Sequence, residues 1–368
     1  MKNQILGVGT SIPPFRVDCS TSARFAEVTS GIDSKRAKQV MALYRRSGIA
    51  SRGSVLLDCD LEENVVNDFY PPAESPQDRG PTTACRSERY ATEAPGLAAA
   101  AAHRALDASD VVGSQITHLV TVSCTGFSAP GIDIALIDRL GLPLSTQRVQ
   151  VGFMGCHGAV NGLRAGTGLV AAHPSARVLI CCVELCSLHY QYGQETERIV
   201  TGALFADGAA SVVLGDDPGT ESLGSQSAVG CVQATGSFLV PDSREAMTWQ
   251  IGNHGYMMTL SPQVPDLIQR HLPAYLDQWL ADHGESIASI GGWAVHPGGM
   301  RILSAVESAL GLDEDELETS RSVLSEHGNM SSATMLFILD RFQVRDQPKP
   351  WLMLGFGPGL EIEVALIR

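Results

Sequence analysis

The chain has 368 residues, 44% of them hydrophobic and 18% charged, a composition suited to one large α/β unit or two fused halves and unlike that of a disordered chain. A formal net charge of −14 excludes nucleic acid as a main partner, because neutralising phosphates needs a basic surface. The N-terminal "MKNQILGVGTSIPP" lacks a signal-peptide pattern, no later apolar run is membrane-spanning, and nine cysteines lack paired extracellular spacing; together these predict a cytoplasmic protein with reduced thiols and no membrane partner.

In chain order, "ILGVGTSIPP" predicts a first strand. Residues 35 to 52, "KRAKQVMALYRRSGIASR", gather six of the 26 cations: Lys35, Arg36, Lys38, Arg45, Arg46 and Arg52. They read equally as a solvated helix face or as a landing site for a phosphate-bearing small molecule. "PPAESPQDRGP", residues 71 to 81, is Pro-rich and polar and predicts an exposed loop. Next come a strand "THLVTVSC" ending at Cys124, a Gly/Pro loop, and a helix "IDIALIDRLGL" closing at Gly141. The strand-like "QRVQVGF", Cys156, a helix from about Asn161 to Ala172 and the strand "RVLICCVEL" follow, then "GALFADGAASVVLG".

The remainder repeats this order. "VQATGSFLVPD" echoes the first strand, and "SIGGWAVH" ends at His296 before a Pro/Gly loop. Helix "MRILSAVESALGL" closes at Gly311, and Asn329 precedes the helix "SSATMLFILDRF". The strand "WLMLGF" opens the C-terminal hairpin "WLMLGFGPGLEIEVALIR". Cys124 to His296 spans 172 residues, Gly141 to Gly311 170, and Cys156 to Asn329 173. These near-equal offsets predict two pseudo-duplicated α/β halves, residues 1–220 and 221–368, with their sheets packed on shared central helices. Equivalent strand ends then converge, and Cys156, His296 and Asn329 meet in one pocket.

Within that pocket each residue has a bland and a chemical reading. A lone cysteine is most often a small buried hydrophobe, but Cys156 at a strand-to-helix turn sits where a helix N-terminus stabilises a thiolate. His296, at a strand end, is placed to take a proton from that thiol. Asn329 suits a helix N-cap, or it donates its amide to an oxyanion. In "CCVELCSLHY", Cys181, Cys182, Glu184, Cys186 and His189 cluster without a CxxC pair, so a core strand is favoured over a zinc site. No metal site is predicted.

The assembled motifs resemble the thiolase superfamily, and within it the type III polyketide synthases, the chalcone-synthase-like enzymes. They are "GCHGAVNGLRAG" around Cys156, "GALFADGAA" with Phe205, "HPGG" with His296, "GNMSSAT" with Asn329 and Ser331, and "GFGPG", taken as a structural loop of Gly355, Phe356, Gly357, Pro358 and Gly359. The resemblance covers nearly the whole chain. It implies a five-layer αβαβα thiolase-like fold, a homodimer, and acyl-CoA and malonyl-CoA as substrates with no cofactor. It also implies that Cys156 carries the starter acyl group, that His296 partners it as base and as an imidazolium that keeps the thiol ionised, and that His296 and Asn329 bind the thioester oxygen of malonyl-CoA.

By the same resemblance Phe205 is a gate, and Arg46, with Arg45 and Arg52, flanks the coenzyme A entrance. Gln39 and Ala42 stand where other family cations are usual. Trp249 stands where plant chalcone synthases have a glycine, Met258 replaces a second gate phenylalanine, and His189 and Cys124 replace threonines. These cavity residues argue against a chalcone and toward a pyrone, resorcinol or polyhydroxylated aromatic. A fatty-acid-type ketoacyl synthase using acyl carrier protein, and a non-catalytic acyl-CoA binding protein, are the alternative readings.

Overall fold

Alternation along the strands sets the layering. In the strand Arg177–Leu185, Val178, Ile180 and Cys182 enter one core while Leu179, Cys181 and Val183 enter another, so helices must cover both faces. The computed structural model describes residues 3–59, 65–216 and 228–368. The expected boundary between residues 220 and 221 lies outside the described residues.

The first half comprises β1 (Gln4–Ser11), α1 (Cys19–Thr29), α2 (Ser34–Arg46), α3 (Thr83–Ser109), β2 (His118–Ser123), α4 (Ile132–Leu140), β3 (Gln147–Gly152), α5 (Gly158–Ala172), β4 (Arg177–Leu185), α6 (Thr196–Leu204) and β5 (Asp207–Gly215). The second comprises β6 (Gly230–Leu239), the hairpin β7 (Met247–Gly252) and β8 (Gly255–Leu260), α7 (Val264–Asp282), β9 (Gly292–Val295), α8 (Met300–Leu310), α9 (Glu318–His327), α10 (Thr334–Val344), β10 (Trp351–Gly357) and β11 (Glu361–Ile367).

Strand order is β9-β10-β11-β6-β1-β5-β4-β2-β3. The central neighbours β1 and β6 are joined by only two residue pairs, Gln4 with Cys231 and Ile5 with Gly230, so the strands form two sheets meeting at a seam. Each sheet repeats one pattern. β1-β5-β4-β2 runs antiparallel, antiparallel, parallel, and β6-β11-β10-β9 does the same. β3 adds a fifth, parallel strand to the first sheet, whereas the second half has helix α9 before its central helix.

The layers run α3 and α4, first sheet, α5 and α10, second sheet, α7 and α8. Five consecutive residues of α10, Met335 to Leu339, are buried, as a helix sandwiched between two sheets requires. Each such side chain contributes about 1.5–3 kcal/mol of burial. Along α5, a Cβ on Gly162 would reach Val122 Cγ2 at 2.9 Å, so the glycine stripe lets the helix lie close on β2 and β4.

Helices α4 and α8 close on left-handed Gly141 and Gly311, as expected. Residues 71–81 form a largely exposed stretch without helix or strand. Two expectations shift. α5 begins at Gly158 rather than near Asn161, after a 3-10 turn over Gly155–His157. Gly355, Phe356 and Gly357 complete strand β10, leaving the turn to Pro358 and Gly359, because apolar "WLMLGF" continues pairing with β11.

Candidate active site

The Gly155–His157 turn presents Cys156 to a cavity of about 450 Å³. Gly155 adopts φ +75°, and a Cβ there would approach Pro358 Cδ within 2.7 Å, so both conformation and contact require glycine. Cys124, His189, Phe205, Trp249, Met258 and Ser331 line the same cavity, as the sequence predicts. Arg52 also reaches it, but Arg45 and Arg46 do not; they stand exposed in the last turn of α2, where they complement the helix dipole.

Cys156 is 8% exposed, and the Asn329 and Ser331 side chains hydrogen-bond to its sulfur. Asn329 follows α9, with its backbone N–H donating to Leu204 O at 2.9 Å and its carbonyl accepting from Ala206 N at 2.9 Å. Its Oδ1 accepts from Ser331 N at 2.8 Å. Capping and donation, alternatives in the sequence, thus use opposite ends of one amide: Oδ1 ties the turn, leaving Nδ2 for the sulfur. Ser331, in the left-handed region at φ +46°, sets its Oγ 3.3 Å from Cys124 Sγ.

His296 lies just beyond β9, its N–H donating to Leu354 O at 2.8 Å. It is 1% exposed, and neither ring nitrogen has a hydrogen-bond partner among the described residues. Burial pulls it down to about 3, with the charge of His157 adding to the effect. Burial pushes Cys156 up to about 11, only partly offset by the Ser331 and Asn329 hydrogen bonds. At neutral pH the pair is therefore thiol and neutral imidazole. This corrects the expectation of a resting thiolate beside an imidazolium: desolvation outweighs the helix terminus. A thiolate then arises by proton transfer to an imidazole whose nitrogens are free to take it.

Beneath the site lies fully buried Glu184. Its Oε1 accepts from Ser332 Oγ at 2.6 Å, its Oε2 from Thr125 Oγ1 at 2.7 Å and from Cys124 N at 3.0 Å. Burial pushes this carboxyl up while the donors hold it down. These contacts satisfy it without a metal ion. Sequence reading noted Glu184 only as a possible ligand and missed Thr125 and Ser332. A lone acid inside the apolar run "VLICCVEL" was the available signal, since buried carboxylates need dedicated donors.

The cavity wall is pinned in detail. Trp249 donates Nε1–H to Cys124 O at 2.7 Å. His189 Nε2 lies 2.7 Å from Thr125 O, and its Nδ1 accepts from Tyr256 N at 3.0 Å. A carbonyl only accepts, so Nε2 carries the hydrogen, and burial holds this ring neutral by lowering it to about 3. His189 stacks on Tyr256 at 4.0 Å, with Trp249 edge-on at 5.6 Å. Trp249 pairs with Met258 across the β7–β8 hairpin. Arg52 corrects a further expectation. Its donors go to Gly202 O at 2.5 Å, Phe205 O at 2.8 Å and Ser22 Oγ at 3.2 Å, which uses the guanidinium to hold the Phe205 backbone rather than a phosphate.

Comparison with known proteins agrees with this architecture. Sequence models of the chalcone and stilbene synthases match residues 2–218 (N-terminal domain) and 231–368 (C-terminal domain). A 1,3,6,8-tetrahydroxynaphthalene synthase of Streptomyces peucetius subsp. caesius is 38% identical over 74% of this chain and 72% of its own length. The "alpha-pyrone synthesis polyketide synthase-like Pks18" of Mycobacterium tuberculosis is 30% identical over 98% of this chain and 89% of its own. The crystal structure of PKS-I from the brown alga Ectocarpus siliculosus superposes with a TM-score of 0.90 at 28% identity, covering 100% of this chain and 99% of that one. The type III polyketide synthase domain of the Dictyostelium hybrid Steely1 gives 0.87 at 27% identity, covering 100% and 99%. With both halves matched and the thiolase fold complete, the chain belongs to the chalcone and stilbene synthase family, the type III polyketide synthases.

Proposed function

We propose that Cys156, His296 and Asn329 are the working residues of this polyketide synthase, acting on an acyl-CoA or malonyl-CoA starter and on malonyl-CoA as extender. His296 takes the thiol proton, the Cys156 sulfur attacks the starter thioester, and the carbon–sulfur bond to coenzyme A breaks; the proton leaves with the coenzyme A thiol. Malonyl-CoA then loses CO2. The electron pair passes into an enolate whose oxygen is held by the Asn329 amide and His296, where donors oriented in advance are most effective. The enolate carbon attacks the acyl group, the bond to Cys156 breaks, and the chain is two carbons longer. Decarboxylation supplies the carbanion, so no cofactor takes part.

The observation that carries this reading is the sulfur of Cys156 at the cavity, hydrogen-bonded by the Asn329 and Ser331 side chains. The wall of Trp249, His189 and Tyr256 favours a compact polyhydroxylated aromatic or a pyrone as product, the kinds of product named for two relatives. The exposed strand β3, paired only with β2, supports a homodimer formed at that edge. No helix among the described residues is long and apolar enough to cross a membrane, which is compatible with a cytoplasmic location. The test is to incubate native protein and Cys156→Ala with malonyl-CoA and a panel of acyl-CoA starters and to weigh the products. Native protein should release CO2 and polyketide, and the variant should form none; polyketide from the variant would remove Cys156 from its role.

A further inference from the structure

Behind the nucleophile turn, a buried polar chain runs from β11 to the residue next to Cys156. Glu363, 1% exposed, accepts from Arg164 Nη1 at 3.0 Å, from Arg164 Nη2, from Ser237 Oγ at 2.7 Å and from Asn161 Nδ2 at 3.0 Å. A carboxylate held by a guanidinium only accepts, so the Asn161 amide nitrogen faces it and Asn161 Oδ1 faces His157 Nδ1, 2.7 Å away. Oδ1 also only accepts, so His157 Nδ1 carries a hydrogen. The other nitrogen, Nε2, is buried without a hydrogen-bond partner among the described residues and stands 3.5 Å from Glu361 Oε2. A lone pair there faces a carboxylate and is repelled; a proton there makes an ion pair.

The surroundings are fitted to this ring. A Cβ on Gly355 would approach His157 Cβ within 2.9 Å, and one on Gly357 would approach His157 Cδ2 within 2.2 Å, so the glycines of "GFGPG" make room for the imidazole. The atoms of His157, Glu361 and Glu363 lie within 4.8 Å of one another, close enough to suggest a metal site. Arg164 already occupies Glu363, so a metal ion would stand against a guanidinium. The charged and titratable groups around the ring are Glu361 and Glu363 of β11, Arg164 of α5, Tyr275 of α7, Cys156 beside it and His296 beyond β9.

We propose that His157 is a positioning residue for the condensation: fixed through Nδ1 by Asn161, Glu363 and Arg164 and paired through Nε2 with Glu361, it sets a titratable positive charge beside Cys156 and His296. That charge opposes a second charge on His296 and keeps the imidazole free to accept the Cys156 proton at lower pH than it otherwise could. The inference rests on the reading of Cys156 and His296 as the working pair.

The full chain tests it in two variants. In His157→Gln, alkylation of Cys156 by iodoacetamide, followed as the modified Cys156 peptide across a pH series, should show its acid limb moved upward by about one pH unit relative to native protein. An unmoved limb in the folded variant would overturn the proposal. Glu361→Gln keeps the ring and the chain behind it, and carries the test if His157→Gln does not fold. Nitrogen-labelled histidine NMR should place the His157 midpoint lower in this variant, by about half a pH unit; an unchanged midpoint overturns the ion pair and the proposal with it. The two levels of inference fail separately. Condensation by Cys156→Ala alongside a moved limb sinks the catalytic reading, whereas an inactive Cys156→Ala with an unmoved limb sinks the role of His157 alone.

Discussion

The turn at Gly155–His157 and the turn at Ser331–Ala333 each feed a central helix, α5 and α10, at matching places in the two halves. On the first turn sits a thiol that burial keeps protonated; just before the second stands an amide whose oxygen is spent on its own turn and whose nitrogen remains to donate. The strand ends repeat the contrast, with Cys124 after β2 tied by its N–H to Glu184, and His296 after β9 with both ring nitrogens unpartnered. One scaffold thus holds the group to be acylated in one copy and the groups that move a proton or hold an oxyanion in the other. Duplication supplies placement, and divergence of a few side chains supplies complementary chemistry.

Three experiments press on that contrast. The largest effect is expected from the second copy: Asn329→Ala should lower kcat/KM for malonyl-CoA by about a hundredfold or more, the usual loss when an oxyanion donor is removed. Alkylation of Cys156 should persist in that variant; a near-native kcat/KM would mean that the second turn serves structure alone. Next, Trp249→Gly removes an indole from the wall without touching either turn, so product mass should shift to longer chains or larger starters at a rate within about tenfold of native. An unchanged product profile would show that the hairpin does not bound the growing chain.

The smallest effect is on stability. His189 and His296 fall from an ordinary 6.5 to about 3 because burial disfavours their charged forms. Between those values the unfolded chain binds protons that the folded chain does not. Their contribution is therefore full above about pH 6.5 and is lost as pH falls toward 3. The urea midpoint should fall over that window, and His189→Asn, which keeps a side-chain amide on the wall, should flatten the fall. An equally steep fall in that variant would place the acid sensitivity elsewhere.

Period and spacing made much of this legible in advance. Equal offsets disclosed the duplication, apolar runs disclosed the strands, and left-handed glycines ended α4 and α8 where expected. Local sequence did not disclose the protonation of Cys156, because its helix-terminal position favours the thiolate while the depth of burial, a tertiary property, opposes it more strongly. Arg52 misled for a related reason: a cation in a basic stretch reads as a phosphate site, and only the fold reveals that backbone carbonyls use its donors. Glu184 and His157 were in plain view, yet their partners come from segments remote in sequence, Ser332 in one case and Glu361 in the other.

The indole of Trp249 gives the catalytic floor and the product wall a common fastening, since its N–H is held by the carbonyl of Cys124. Anyone who reshapes this enzyme by transplanting the hairpin 247–260 therefore also unfastens the backbone next to the nucleophile. Chain length and catalytic rate are traits that inherit together here, and a graft that carries only the first needs a new donor for the Cys124 carbonyl.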